Sequence, residues 1–292
     1  MRRTLLILAL IGAALGAALW TGMDASVARW SSAWQREFQN GLAGALRALR
    51  SGDAGAFAWL MGLSFAYGFV HAAGPGHGKL LIGGYGMAAR VSALRLSLIA
   101  MASSLGQAGT AIALVYGGML LLGYTRAQLT GLAEGAMATV SAAAIGLIGL
   151  WLILRGARKL LRGRRPVHTH SAECGCGHSH GPTAEEVAQA HGLRGTLALI
   201  GAVAIRPCTG ALLLLVLTWQ MGIPAAGIAG TLAMALGTGA VTVAVALMAA
   251  FAREGALGSG ARDSAIWGAM PIMEIAAGAF IALISLQMLA WL

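Results

Sequence analysis

Two stretches decide the fold of this chain: HAAGPGHGK (His71–Lys79) and AIRPCTGA (Ala204–Ala211). Each places a Pro-x-x-Gly inside a long apolar run. Proline has no N–H and clashes with the preceding turn, so it interrupts a helix. Within a lipid bilayer, such an interruption is tolerated only where the freed backbone groups are buried in protein or face a water-filled cavity. The two stretches therefore predict two broken helices inside an all-α membrane protein.

The composition agrees with a membrane protein. Of 292 residues, 58% are hydrophobic and 10% are charged, and the mean hydropathy is +0.76, whereas soluble domains carry about 25% charged residues. The 43 glycines are typical of closely packed membrane helices. Apolar stretches long enough to span a bilayer predict about seven membrane helices, near residues 5–20, 57–87, 94–122, 135–154, 195–219, 225–251 and 267–291.

The two broken segments open two similar halves. In each half the Pro-x-x-Gly is followed by a small-residue motif, at 106–110 and at 237–241, and then by one acid, Glu134 or Glu274. Three spans in each half give the halves opposite orientations, which predicts two inverted three-helix repeats. The alternative is that both prolines are ordinary kinks and that the spacing is chance. The predicted organisation is an anchor helix with an external amphipathic helix (1–55), a first repeat (56–155), a cytoplasmic loop (156–193) and a second repeat (194–292).

The charge distribution predicts the topology. The formal net charge is +10, but the basic residues lie between the apolar stretches, mostly in segments that are cytoplasmic if the N-terminus is inside. The positive-inside rule accounts for this distribution without a nucleic-acid partner. We therefore expect a multi-pass protein of a bacterial-type inner membrane with a cytoplasmic N-terminus. The stretch after Met1-Arg2-Arg3 is interpreted as a retained anchor, the alternative being a cleaved signal peptide.

The first broken segment carries a candidate metal site. On a continuous helix His71 and His77 would lie about 9 Å apart along the axis and about 120° apart around it, which is too far to share an ion. A break at Pro75 removes that obstacle and frees the carbonyl of His71. The alternative is a single buried histidine bonded to a carbonyl. Cys208, in the second broken segment, is either a soft ligand from the other half or a small hydrophobic residue.

Four ionisable residues lie within or beside the apolar stretches: Lys79, Glu134, Arg206 and Glu274. Charged groups at this depth usually pair with one another or serve transport. The sequence leaves open whether they couple transport to protons or form static ion pairs that hold helices in register.

The central loop reads HTHSAECGCGHSHG from His168 to Gly181. Nitrogen and sulfur ligands favour Zn, Ni, Co or Cu over Mg or Ca. The spacing is too compact for a folded zinc finger and predicts a disordered metal-collecting or sensing loop, unless the tract is compositional drift. Six candidate ligands lie in it: His168, His170, Cys174, Cys176, His178 and His180.

Together these motifs resemble the NicO nickel/cobalt transporter family over about residues 60–292. The resemblance implies movement of Ni²⁺ or Co²⁺ and matches an intramembrane His-x5-His of that family to His71 and His77. Some members carry an acid where this chain has Gly74. The layout is also similar to amino-acid exporters and to membrane thiol-electron carriers, but a carrier of the latter kind would need a cysteine at Gly76, opposite Cys208.

The predicted function is transport of a divalent transition-metal ion, Ni²⁺ or Co²⁺ first and Zn²⁺ or Cu as alternatives, with no enzyme activity and no resident cofactor. The cytoplasmic position of the metal-binding loop favours efflux. Uptake of nickel or cobalt, or export of an amino acid or other small solute, are the rival functions. No nucleotide-binding GxxxxGK[ST] is present, so an ion gradient or a partner would drive transport. The expected partners are the lipid bilayer and the metal ion, and self-association into a homo-oligomer is left open.

Overall fold

The computed structural model describes residues 23–74, 77–88, 91–161, 192–258 and 264–290. Three parts of the sequence prediction lie outside the described residues: the first apolar stretch, Pro75 with Gly76, and the loop from His168 to His180. The same holds for the side chain of His77, although its backbone belongs to a helix.

Within the described ranges the regular secondary structure is helical and contains no strand, which confirms the all-α prediction. Local signals agree with the helix starts: the Ser92 side chain accepts a bond from the Arg95 N–H, and Thr125 with Gln128 forms a reciprocal capping box. The elements are α1 (Met23–Arg50), α2 (Ala56–Ala73), α3 (His77–Ala88), α4 (Ala93–Leu121), α5 (Arg126–Leu132), a π-helical turn (Ala133–Met137), α6 (Ala138–Leu161), α7 (Gly192–Ala204), α8 (Thr209–Gln220), α9 (Pro224–Gly258) and α10 (Ser264–Ala290).

Five helical segments of the described chain are long and apolar enough to cross a membrane. They are Ala56–Ala73, Ala93–Leu121, Arg126–Leu161, Pro224–Ala252 and Pro271–Ala290. The pair α7 and α8 adds a sixth if it is taken as one bent span. The chain is therefore a multi-pass membrane protein with five to six candidate spans in the described ranges.

Both predicted helix interruptions are present. Helix α2 ends at Ala73, and Gly74 is extended (φ −63°, ψ 169°) before α3 begins at His77. Helix α7 ends at Ala204, α8 begins at Thr209, and the two axes differ by 60°. The buried Pro207 lies in the second gap, where its missing N–H cannot continue the helical bonding.

Helix α9 packs against α2, α3, α4 and α8 and forms the centre of the bundle. Glycine allows the closest of these contacts. A Cβ on Gly68 would lie 2.0 Å from the carbonyl oxygen of Met234, and one on Gly237 would lie 2.1 Å from that of Phe65. The backbones of α2 and α9 therefore touch directly, as is typical of membrane helices with small residues at the interface.

Helix α1 runs antiparallel along α2. Its Ser31 hydroxyl bonds the Val70 carbonyl near the end of α2, whereas its Gly41 lies against Leu63 in the middle of that helix. Trp30 and Trp34 remain exposed on the opposite side. The amphipathic helix predicted from the sequence is thus paired lengthwise with α2 rather than lying by itself on a surface.

Helices α6 and α10 form the most extensive helix pair, and a buried carboxylate joins their ends. Glu274 is 1% exposed. Arg155 donates to both of its carboxylate oxygens, at 2.7 and 3.1 Å, and Lys159 donates at 2.6 Å. Glu274 therefore pairs with two basic residues of α6.

We expect Glu274→Gln to lower the free energy of unfolding by about 2 kcal/mol. Removing one partner of a fully buried pair costs about 3–5 kcal/mol, but here the Arg155 and Lys159 side chains are 23% and 49% exposed and can be hydrated. Denaturant unfolding of the purified protein in detergent measures the change. Glu134→Gln, which alters an exposed acid in the π-helical turn, is the control. Equal unfolding midpoints for the two variants would show that the ion pair does not hold α10 against α6.

Candidate functional site

A cavity of about 270 Å³ lies where the two broken helices meet. Residues from the end of α2, the start of α3 and the gap between α7 and α8 line it, together with α4, α6 and α9. The Ser103 hydroxyl is fully buried and has no hydrogen-bond partner among the described residues. Hydroxyl and amide groups give the cavity a polar wall: Ser103, Ser104, Gln107, Ser141, Thr238 and Thr242.

The cavity brings together His71 and Cys208, one candidate ligand from each half of the chain. His71 lies in the last turn of α2, and Cys208 is the N-cap residue of α8 (φ −73°, ψ 130°). The two side chains interact with each other. An imidazole and a thiol separated by 137 positions in the sequence therefore face one another because both helices are interrupted at this point.

Tyr67 supports this pair from one turn earlier in α2. Its ring is stacked on the His71 ring, with centroids 6.0 Å apart and planes 6° from parallel. Its hydroxyl interacts with Cys208. A Cβ on Gly210 would lie 2.3 Å from the Tyr67 ring, so the glycine of the second Pro-x-x-Gly makes room for the tyrosine. Tyr67 thereby fixes the end of α2 against the start of α8.

Helix α1 contributes polar groups that the sequence analysis did not single out. Gln35 Oε1 lies 3.0 Å from His71 Nδ1, and Gln35 Nε2 donates to Ser31 Oγ at 2.8 Å. Gln39 Nε2 donates to the Tyr67 hydroxyl at 3.4 Å. These residues follow each other at a spacing of four, and the buried Leu42 and Leu46 lie further along the same helix. Polar residues at helical spacing, on the same helix face as buried leucines, are the sequence signal that could have identified them.

Each small-residue motif contributes a side chain that bonds one of the broken helices. Gln107 Nε2 donates to the carbonyls of Val203 and Arg206, both at 3.3 Å, at the end of α7. Thr238 Oγ1 donates to the Gly68 carbonyl of α2 at 3.2 Å. Each motif therefore binds the broken helix of the other half.

Lys79 and Arg206 both line the cavity. The Lys79 ammonium donates to the carbonyl of Gly74, beyond the last turn of α2. No carboxylate of the described residues lines the cavity. Its fixed charges in this part of the chain are therefore positive, and a bound cation would need the thiolate form of Cys208 to offset them.

The other predicted site residues are not brought into the cavity. Glu274 pairs with Arg155 and Lys159, and Glu134 is exposed in the π-helical turn. Within the described ranges, no three side chains of His, Cys, Asp or Glu form a cluster. The His77 side chain and the six loop ligands lie outside the described residues.

A neutral imidazole and a thiolate are ligands for Ni, Co, Zn or Cu rather than for Mg or Ca. Two such ligands leave most coordination positions of a transition-metal ion to water or to neighbouring polar groups. A partly hydrated ion that exchanges ligands readily suits a transit site better than a structural one, which is usually closed by four protein ligands.

Comparisons with known proteins agree with this chemistry. The family model NicO, described as high-affinity nickel-transport protein, matches residues 57–180. A Haemophilus influenzae protein whose name assigns it to nickel/cobalt efflux is 31% identical over 245 residues, which cover 77% of this chain and 76% of that protein. No solved structure matches the chain. The chain belongs to the NicO family of nickel-transport proteins.

Proposed function

We propose that this protein exports Ni²⁺ or Co²⁺ across a bacterial-type inner membrane, and that the ion passes through the cavity between the two broken helices. The observation that carries the proposal is the meeting of His71 and Cys208 in one polar cavity. In this mechanism the His71 imidazole and the Cys208 thiolate bind the ion, and His77 supplies a further ligand from the start of α3. Zn²⁺ and Cu ions suit the same ligands.

The polar wall supports the passage of a partly hydrated cation. Hydroxyl groups can replace or bind water of the ion, and Ser103 has an unused hydroxyl at this position. Helix α2 also directs its carbonyl end, which carries partial negative charge, toward the cavity. Both features lower the cost of taking a divalent cation out of bulk water.

We propose further that the two halves are inverted three-helix repeats, preceded by an anchor in residues 5–20, which gives seven spans. The pattern of helix contacts supports a two-fold relation. Helix α9 packs on α2 as α4 packs on α7, and α9 packs on α3 as α4 packs on α8. The remaining long helices of the halves, α6 and α10, pack on each other. Secondary transporters with such repeats bind substrate at the interface between them.

The export direction rests on the central loop. In the topology proposed from the charge distribution, His168 to His180 are cytoplasmic, and tethered ligands there raise the local metal concentration at the inner mouth. The name of the Haemophilus influenzae relative supports the same direction. Metal uptake through the same cavity is the first alternative.

Export of a small solute is the second alternative, and one observation favours it. Lys79 and Arg206 are the charged residues of the described part of the cavity, and they would attract an anionic solute. Such a solute would not require His71, Cys208 or the loop ligands. The dependence of metal transport on these residues therefore discriminates between the two functions.

We expect His71→Ala, His77→Ala and Cys208→Ala each to reduce nickel or cobalt transport by at least about tenfold, because even the loss of a group that only supports a ligand has an effect of that size. Metal content of cells expressing each variant, measured by mass spectrometry at equal membrane expression, tests this. His191→Ala is the matched control, since it removes the one histidine that belongs to neither predicted ligand group. Transport at the unaltered rate by His71→Ala with Cys208→Ala would exclude the cavity as the metal path.

We expect expression of the protein to lower the nickel or cobalt content of cells. Replacing the six loop ligands by serine should raise the metal concentration needed for half-maximal transport without abolishing transport, because the loop collects metal and does not form the path. A length-matched substitution avoids changing the connection between the halves. A His71-dependent increase in cellular metal on expression would identify an importer instead.

A further inference from the structure

We propose that Gln35 of the amphipathic helix α1 is a positioning residue that holds His71 in the tautomer with the proton on Nδ1, so that Nε2 presents a free lone pair to the cavity. The inference rests on the proposed function in so far as His71 is taken to bind the metal. It adds a residue that lies outside the segment 57–180 matched by the family model.

A chain of hydrogen bonds fixes the direction of the proton. It begins at the Val70 carbonyl, which can only accept, so the Ser31 hydroxyl donates to it at 3.0 Å. The Ser31 oxygen then accepts from Gln35 Nε2 at 2.8 Å. Gln35 Oε1, the other end of the amide, lies 3.0 Å from His71 Nδ1 and can only accept, so Nδ1 carries the proton.

The opposite orientation of the amide would break this order. If the Gln35 oxygen faced Ser31, a bond between them would need the Ser31 proton, and the bond from Ser31 to the Val70 carbonyl would be lost. If the Gln35 nitrogen faced His71, it would require an unprotonated Nδ1. Only the first orientation makes all three hydrogen bonds, and in the neutral imidazole it leaves Nε2 without a proton.

The surroundings hold the network in place. Ser31 is 1% exposed, and its oxygen lies directly against Gly74, where an added Cβ would come within 2.5 Å of it. The stacked Tyr67 ring restricts rotation of the imidazole. With Nδ1 directed to α1, the remaining ring nitrogen of a residue that lines the cavity is Nε2.

The tautomer matters because a metal ion binds the nitrogen that has no proton. Groups that accept the other ring N–H of a histidine ligand orient the ring and raise its basicity, and their loss costs about 10- to 100-fold in metal affinity. Gln35 would thus act on the metal through His71 without touching it.

The first test reads the tautomer directly by two-bond ¹H–¹⁵N NMR of the full chain, labelled with ¹⁵N-histidine, in detergent and without metal. The His71 signal is assigned from its loss in His71→Ala. We expect the Nδ1–H pattern in the unaltered protein and in Gln35→Glu, whose carboxylate still accepts from Nδ1. In Gln35→Leu we expect a shift to the Nε2–H form. Gln39→Leu, one turn further along α1, is the control and should keep the Nδ1–H pattern.

Two results would overturn the proposal: an Nε2–H pattern in the unaltered protein, or an unchanged Nδ1–H pattern in Gln35→Leu. If Gln35→Leu does not fold, Gln35→Glu decides the matter, since an Nε2–H pattern there would equally contradict the accepting role of residue 35.

The second test measures nickel flux into proteoliposomes containing the same variants. We expect Gln35→Leu to raise KM by about 10- to 100-fold with little change in kcat, and Gln35→Glu to restore a KM near that of the unaltered protein. A changed tautomer with an unchanged KM would support the positioning role of Gln35 and contradict His71 as a metal ligand. The failure of the proposed function is thereby distinguished from the failure of this inference.

Discussion

The structure depends on how the carbonyls freed by two broken helices are satisfied in an apolar bundle. An unpaired backbone carbonyl in a membrane costs several kcal/mol, so each needs a partner from elsewhere in the chain. At the end of α2 the carbonyl of Gly74 accepts from Lys79. At the end of α7, Gln107 bonds the carbonyls of Val203 and Arg206. Two polar residues that line the cavity, Lys79 and Gln107, thus also satisfy the interrupted backbone.

The same requirement interlocks the two halves. Gln107 belongs to the first half and bonds the broken helix of the second, whereas Thr238 belongs to the second half and bonds α2 of the first. Thr238 lies on α9, whose backbone touches that of α2 at Gly68 and Gly237, so this bond and the helix packing reinforce each other. When one half moves against the other, these hydrogen bonds must either be kept or be replaced by others. A transporter built this way ties the geometry of its cavity to the relative position of its halves.

Much of the fold could be predicted from the sequence because proline and apolar run length act locally. The break between Ala73 and His77, the break between Ala204 and Thr209 and the helical class followed from those two signals alone. The partners of Glu274 could not be predicted, because Arg155 and Lys159 are brought to it by the packing of α6 on α10. The contact of Gln35 with His71 could not be predicted for the same reason: the 36 positions between them are closed only by the antiparallel pairing of α1 with α2. Local sequence signals predict where helices begin and end. Contacts between side chains of different helices depend on how the helices pack, which these signals do not predict.

The packing of α1 also bears on the choice of metal. An acidic side chain at position 74 would supply a hard oxygen ligand. In this chain the position is Gly74, the Ser31 hydroxyl fills the adjacent space, and a Cβ on Gly74 would lie 2.5 Å from it. The Gly74 carbonyl itself is taken by Lys79. With these oxygen donors removed, the candidate ligands described in the cavity are an imidazole and a thiol, a set that favours nickel, cobalt, zinc or copper over magnesium or calcium. The positive charges of Lys79 and Arg206 weaken the binding of any divalent cation at the same point, and weak binding favours the release that transport requires.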